Sequence, residues 1–164
     1  GSLAIGYLCP PVTASHLEVN MINARTLLAA GALAAALPLA AEEAVHPVEM
    51  SRDGLAGALF DSPDTLVKEN GTVLDITSLQ SSDGRFASGM YRAGPSRWEI
   101  DEPYGVDEFM YFLEGGVTLT SSDGTVTEIE AGEAVTIPKE GTGIWETDGY
   151  RKIWVIYSAD GSGL

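Results

Sequence analysis

From Val73 onward the chain is written in short runs of alternating apolar and polar positions, each closed by glycine, proline, aspartate or serine. Alternation with a period of two is the mark of strands that bury one face. It predicts strands over Val73–Leu79, Phe86–Arg92, Arg97–Ile100, Glu108–Leu113, Val117–Ser121, Val126–Ile129, Ala134–Ile137, Ile144–Thr147 and Arg151–Tyr157. Turn signals recurring about every 8–12 residues between such strands indicate an all-β sandwich or barrel. The tetrapeptide Ser-Ser-Asp-Gly occurs at 81–84 and again at 121–124. Asp-Gly suits the left-handed backbone of a tight hairpin, so both are expected as hairpin tips. The small, polar segment Ala159–Leu164 is expected as a frayed tail.

Before Val73 the pattern changes. Residues 42–72 mix charges with turn residues (Asp53-Gly54, Asp61-Ser62-Pro63-Asp64, Asn70-Gly71), which predicts a loop-rich lead-in with a helical turn near Leu55–Phe60. Residues 1–20 have no periodicity and open on Gly1-Ser2, and they read as a tag remnant or an unstructured leader. Met21–Arg25 carries one positive charge, Thr26–Ala41 is an apolar run broken only by Pro38, and Glu42-Glu43 restores charge. That sequence of regions reads as a secretory signal peptide over 21–41, with Leu39 and Ala41 at the −3 and −1 positions of a cleavage site. The same residues also suit an alanine-rich helix that, uncleaved, would lie on the barrel or on a neighbouring subunit. The run is shorter than the ~20 residues a membrane-spanning helix needs. The expected location is periplasmic or secreted if 21–41 is removed, and cytoplasmic otherwise. The organisation is therefore leader (1–20), signal-like segment (21–41), lead-in (42–72), barrel (73–158) and tail (159–164).

Charge removes several classes of partner. The 164 residues hold 24 Asp and Glu against 9 Lys and Arg, a formal net charge of −15. Such a surface repels phosphate backbones and anionic lipid, so neither nucleic acid nor, after processing, a membrane is an expected partner. The one cysteine, Cys9, excludes an intrachain disulfide framework and a cysteine-rich zinc site.

Within the β-patterned region a set of residues stands in a fixed order. Trp98-Glu99 is followed by Asp107-Glu108-Phe109, then by Glu114-Gly115, by Gly132 and Pro138, and finally by Trp145-Glu146. Six residues separate Glu108 from Gly115, and five separate Gly132 from Pro138. This ordered set, laid over Arg85 to Tyr157, resembles the cupin superfamily. More narrowly it resembles the subgroup that holds the ureidoglycine aminohydrolase and ethanolamine-utilisation cupins. The resemblance implies a single double-stranded β-helix (the cupin or jelly-roll barrel) and a homodimer. It also makes Glu108–Gly116 a strand entered by a carboxylate and closed by a Gly-Gly turn.

In metal-binding cupins a His-x-His pair precedes that carboxylate and a further histidine follows the proline. Here Asp101, Glu102, Pro103 and Tyr104 fill the first neighbourhood and Trp145 the second, while the two histidines, His16 and His46, precede the barrel. One carboxylate cannot hold zinc, iron or manganese tightly. Asp101 or Glu102 with Glu108 would make at best an oxygen-only site. No metal and no cofactor are expected.

What remains is a lone carboxylate in an aromatic barrel mouth. A desolvated carboxylate is a candidate general acid or base, which makes Glu108 the candidate catalytic residue. Met110, Phe112 and Trp145 would line the pocket, and Tyr91, Arg92, Trp98, Tyr104 and Lys152 would add aromatic walls and charge. The opposing reading pairs Glu108 with Arg92, Arg151 or Lys152 and places Trp98 and Trp154 in the core or an interface, since strand aromatics usually pack. Three functions follow: a cupin that binds a small polar metabolite without a histidine-ligated metal, an enzyme using Glu108 as acid or base, and a structural dimer module.

Overall fold

The structure, a computed structural model, describes residues 44–164. The leader and the signal-like segment, with Cys9 and His16, lie outside the described residues. The lead-in holds a one-turn helix, α1 (Arg52–Leu55), capped by the Ser51 hydroxyl on the Gly54 N–H, and a 3-10 turn over Ala58–Asp61. The strands are β1 (Leu66–Lys68), β2 (Val73–Gln80), β3 (Phe86–Ala93), β4 (Ser96–Ile100), β5 (Asp107–Ser121), β6 (Val126–Glu130), β7 (Ala134–Ile137), β8 (Gly143–Thr147) and β9 (Tyr150–Tyr157). All pairings are antiparallel. The result is the all-β barrel that the alternation predicts and the ordered motif implies.

Two sheets share one strand. The first runs β1-β2-β3-β9-β5-β7 and the second β6-β5-β8-β4. The first half of β5 pairs with β9 and β7, and its second half, from Gly116, pairs with β6 and β8. The expected Gly-Gly turn is thus a corner inside one continuous strand. Gly115 has φ +65°, and a Cβ on it would lie 2.0 Å from the Gly149 carbonyl oxygen. A Cβ on Gly116 would lie 2.5 Å from the Ile129 carbonyl oxygen. Only glycine lets one strand bend between two partners packed this close. β1 went unpredicted because it is three residues long and wholly exposed, so it carries no alternation.

Both Ser-Ser-Asp-Gly segments are hairpin tips, joining β2 to β3 and β5 to β6. In each, the glycine N–H donates to the first serine carbonyl (2.9 Å at Gly84, 2.8 Å at Gly124). The tail is tied down rather than frayed. Asp160 accepts from Ser158 and Ser162, and Leu164 packs on the inner cluster of Ala87, Val106, Trp154 and Ile156.

Parity along β9 and β5 decides what enters the barrel. Tyr150, Lys152, Trp154 and Ile156 point inward from β9, and Glu108, Met110 and Phe112 from β5. Across the sheet Lys152 stands opposite Phe112, and Asp75 opposite Tyr91. The other parity faces out. There Arg151 bonds Glu114 and the Ala56 carbonyl (both 2.7 Å), pinning the α1 region to the sheet.

Candidate functional site

Strand parity sends one cation and one carboxylate into the same apolar interior. Glu108 is 4% exposed and Lys152 is 5% exposed. Lys152 Nζ donates to Glu108 Oε1 at 2.8 Å and lies 2.8 Å from Met110 Sδ. The two side chains start from different rows. Lys152 is level with Phe112, and Glu108 is level with Ile156. Four residues of strand span roughly 13 Å, so both side chains must reach along the barrel to meet.

Three rings surround the ammonium. Its distances to the ring centres are 5.1 Å for Trp145 on β8, 5.5 Å for Tyr91 on β3 and 5.7 Å for Tyr150 on β9. Each is within the reach of a cation–π interaction. Phe112 meets Tyr150 edge-on, with centroids 5.3 Å apart, and so fixes one wall of the cage.

The other carboxylate oxygen, Oε2, accepts from the Tyr104 hydroxyl. Tyr104 sits on the 101–106 connection between β4 and β5. That connection is held to the β7–β8 connection by Tyr104 N–H to Gly141 O (3.0 Å) and Gly105 N–H to Lys139 O (2.8 Å). A loop therefore lays a phenol onto the buried carboxylate from one side while β9 delivers an ammonium from the other.

A second carboxyl, Asp75, is buried on β2. Burial pushes it above the usual carboxylate range, against the opposing pull of Lys68 and Lys152. The Trp154 indole N–H favours its charged form but makes no hydrogen bond of good geometry, leaving Asp75 Oδ1 and Trp154 Nε1 buried without one among the described residues. The Tyr91 phenol is pushed up to about 12, first by burial and then by Asp75, Glu69 and Glu108.

Of the expected site residues, Glu108, Tyr104, Met110, Trp145 and Lys152 come together, and Phe112 supports them through Tyr150. Arg92 does not join. It is exposed on the outer face, over the Phe60 ring and 3.5 Å from the Gly71 carbonyl oxygen. Trp98 shares Trp145's face by register, but it stands on the edge strand β4 and is 43% exposed, so it is neither core nor cage. Trp154 is core, as the packing reading expects. Tyr150 and Asp75 escaped the sequence reading, although period-two counting from Trp154 and from Val73 would have placed both inside. An open groove of about 910 Å³ lies elsewhere, between Arg97, Glu128, Glu130 and Asp148, and includes none of the cage residues.

The fold family's metal does not fit these residues. Both Glu108 oxygens are engaged, one by an ammonium, and Asp101 and Glu102 are exposed. Among the described residues no three His, Cys, Asp or Glu side chains gather closely enough to hold a metal ion.

A family model described as an EutQ-like cupin domain matches residues 80–153. A DUF861 family protein from Thermotoga maritima is 32% identical over 40% of this chain and 73% of its own, with a TM-score of 0.37. The chain is a small cupin of the DUF861/EutQ type. The EutQ protein of Clostridium difficile is 25% identical over 59% of this cupin and 78% of its own chain, with a TM-score of 0.45. A DUF861 protein of unknown function from Pseudomonas syringae pv. tomato is 18% identical, with a TM-score of 0.49. That match covers 51% of this cupin but only 36% of the Pseudomonas chain. No functionally curated protein matches.

Proposed function

We propose that this cupin binds a small polar metabolite at the Glu108–Lys152 pair, beneath the Tyr104 loop, without a histidine-ligated metal. The observation that carries the reading is the burial of that pair, whose side chains are 5% and 6% exposed. Burying two charges costs several kcal/mol per ion before their attraction is counted, and well-packed apolar residues often serve stability as well or better. Met110, Phe112 and Trp145 already fill the surroundings with apolar surface. A charge pair retained in such a place favours recognition or chemistry over packing.

The donor inventory describes the ligand. The ammonium has three N–H donors, and among the described residues its hydrogen-bond acceptors are the Glu108 oxygen and a thioether sulfur, a weak acceptor. A ligand carbonyl or carboxylate oxygen satisfies it better. Glu108 Oε2, once released by Tyr104, accepts an N–H or O–H from the same molecule. The Tyr104 loop, whose bonds include those to Gly141, Lys139 and Glu108, is the element that would move.

A thermal-shift screen of amino acids, hydroxy acids, amides and sugar acids tests this. A compound that binds only the folded barrel stabilises it by RT ln(1 + [L]/Kd), about 2.7 kcal/mol at 100 Kd. The expected result is at least one hit whose shift disappears in E108Q. Hits that survive E108Q, or a screen with none, remove the reading. The enzyme reading gains from the Tyr104 hydroxyl on Glu108, which gives the carboxylate a proton-bearing neighbour suited to acid–base work. Following each hit by NMR for turnover separates an enzyme from a binding protein.

A further inference from the structure

We infer that Lys152 Nζ is the resident cation of this barrel, held on Glu108 where the fold family carries a metal. The site around it is built for a primary ammonium ion, and it accepts a free alkylammonium when the lysine side chain is cut back. This does not depend on the barrel binding a metabolite.

The misfit of the metal and the fit of the ammonium have the same cause. A transition metal wants several imidazole, thiolate or carboxylate donors at about 2.0–2.3 Å. The described barrel buries two carboxyls, Glu108 and Asp75, but gathers no three His, Cys, Asp or Glu side chains, and the one described histidine, His46, is exposed and precedes it. A primary ammonium wants one anion, a few acceptors and polarisable walls. Glu108 supplies the anion at 2.8 Å, and Met110 Sδ a soft acceptor at the same distance. Trp145, Tyr91 and Tyr150 supply ring faces at 5.1, 5.5 and 5.7 Å. These walls come from three strands, β8, β3 and β9, and the carboxylate from a fourth, β5. The cage thus joins the lysine's cross-strand partner Tyr91 and its same-face neighbour Tyr150 to Trp145 and Glu108 from two further strands. The side chain only tethers the ion. Because the tether starts level with Phe112, its removal vacates the space that the side chain fills between that level and Glu108.

K152A removes three methylene groups and the ammonium, which is n-propylammonium in outline. The melting temperature of K152A is measured against n-propylammonium chloride at fixed ionic strength. Propan-1-ol is the neutral control of similar shape, and wild type and E108Q/K152A are the protein controls. The expected result is a saturable rise in K152A alone, roughly 10 °C at 100 Kd, given by the ammonium and not by the alcohol. Equal shifts from both probes would mean simple cavity filling and would overturn the inference. So would an ammonium shift that is absent from K152A or persists in E108Q/K152A.

If K152A does not fold, wild-type protein labelled with 13C-lysine gives the answer. One lysine ε-methylene should resonate far upfield from the ring currents of the cage, and it should stay sharp with stoichiometric Mn²⁺. A normal shift for every lysine, or selective broadening of that signal by Mn²⁺, rejects a resident ammonium.

Discussion

The sharpest stability prediction concerns the two buried charges. K152M removes the ammonium while keeping an unbranched chain that fills most of the same volume. It leaves the Glu108 carboxylate 4% exposed, with Tyr104 as its named partner. Breaking a buried pair from one side costs roughly 3–5 kcal/mol, because an uncompensated charge stays behind. E108Q strands the ammonium instead, but the three rings soften that loss by roughly 0.5–2 kcal/mol, so it should cost less than K152M. E108Q/K152M leaves no charge and should recover most of the loss, giving a coupling of several kcal/mol in the double-mutant cycle. Urea unfolding followed by far-UV circular dichroism and tryptophan emission measures all four proteins, and Trp145, 5.1 Å from the ammonium, reports locally. R97M is the control. Arg97 pairs with Glu99 and Glu146 at side-chain exposures of 49–57%, where a pair is worth about 0–1 kcal/mol and fades with salt. If K152M costs no more than R97M, or if the double mutant is as unstable as the two singles summed, the pair is not an energetic unit.

Three further outcomes follow. G89A should lower stability by about 3 kcal/mol or more and red-shift the Trp154 emission, because the new Cβ would lie 2.0 Å from the Ile76 carbonyl oxygen and 2.6 Å from the Trp154 ring. The Asp75 carboxyl is raised in the folded chain, so its contribution is fully present below the unfolded value of 3.8 and is lost as pH rises through the folded value. D75N should therefore melt above wild type at pH 7, with the gap closing as pH falls through the folded value towards 3.8; a gap independent of pH would contradict the burial argument. Tyr91 is raised from 10.0 to about 12, so the stability it gives is intact below pH 10 and is lost from there up through 12. Melting curves between pH 9 and 12 should show Y91F losing less than wild type over that window.

The strands were legible because alternation is a local property, and the barrel because the ordered Glu, Gly and Pro positions sit on those strands. Gly115-Gly116 was misread for a reason that lies outside the segment. Two consecutive glycines look alike in a turn and in a strand corner. Which one forms is decided by the Gly149 and Ile129 carbonyls, which approach from elsewhere in the chain. The partner of Glu108 was open between Arg92, Arg151 and Lys152 until parity was applied. Trp154 and Ile156 face in, so Lys152 does too and Arg151 does not. Parity could not show that the ammonium reaches Glu108 from four residues away along the barrel, because that depends on the register of β9 against β5. Tyr104 was near enough in sequence to suspect, but only the docking of its loop on Lys139 and Gly141 aims the hydroxyl.

These placements give the missing histidines a physical meaning. Substituting metal ligands one at a time would strand Glu108 as a buried, unpaired carboxylate, a loss large enough to threaten a domain whose total stability is of the order of 5–15 kcal/mol. In this barrel the side chains around Glu108 act as a set. Tyr104, in the neighbourhood where the resemblance would put the first histidine pair, donates to one carboxylate oxygen, and Trp145, in the neighbourhood where it would put the later histidine, supplies a ring face. Neither cancels the charge. Lys152 does, from a strand that contributes no ligand to the metal pattern. A search confined to the ligand positions finds only losses, whereas the compensating residue is fixed by where the carboxylate needs a cation. The same logic explains why the interior holds one ammonium near two carboxyls, with Asp75 the one burial pushes toward its neutral form. Lys152 is hydrogen-bonded to Glu108 and acts on Asp75 only through space, so burial is left as the dominant influence on Asp75.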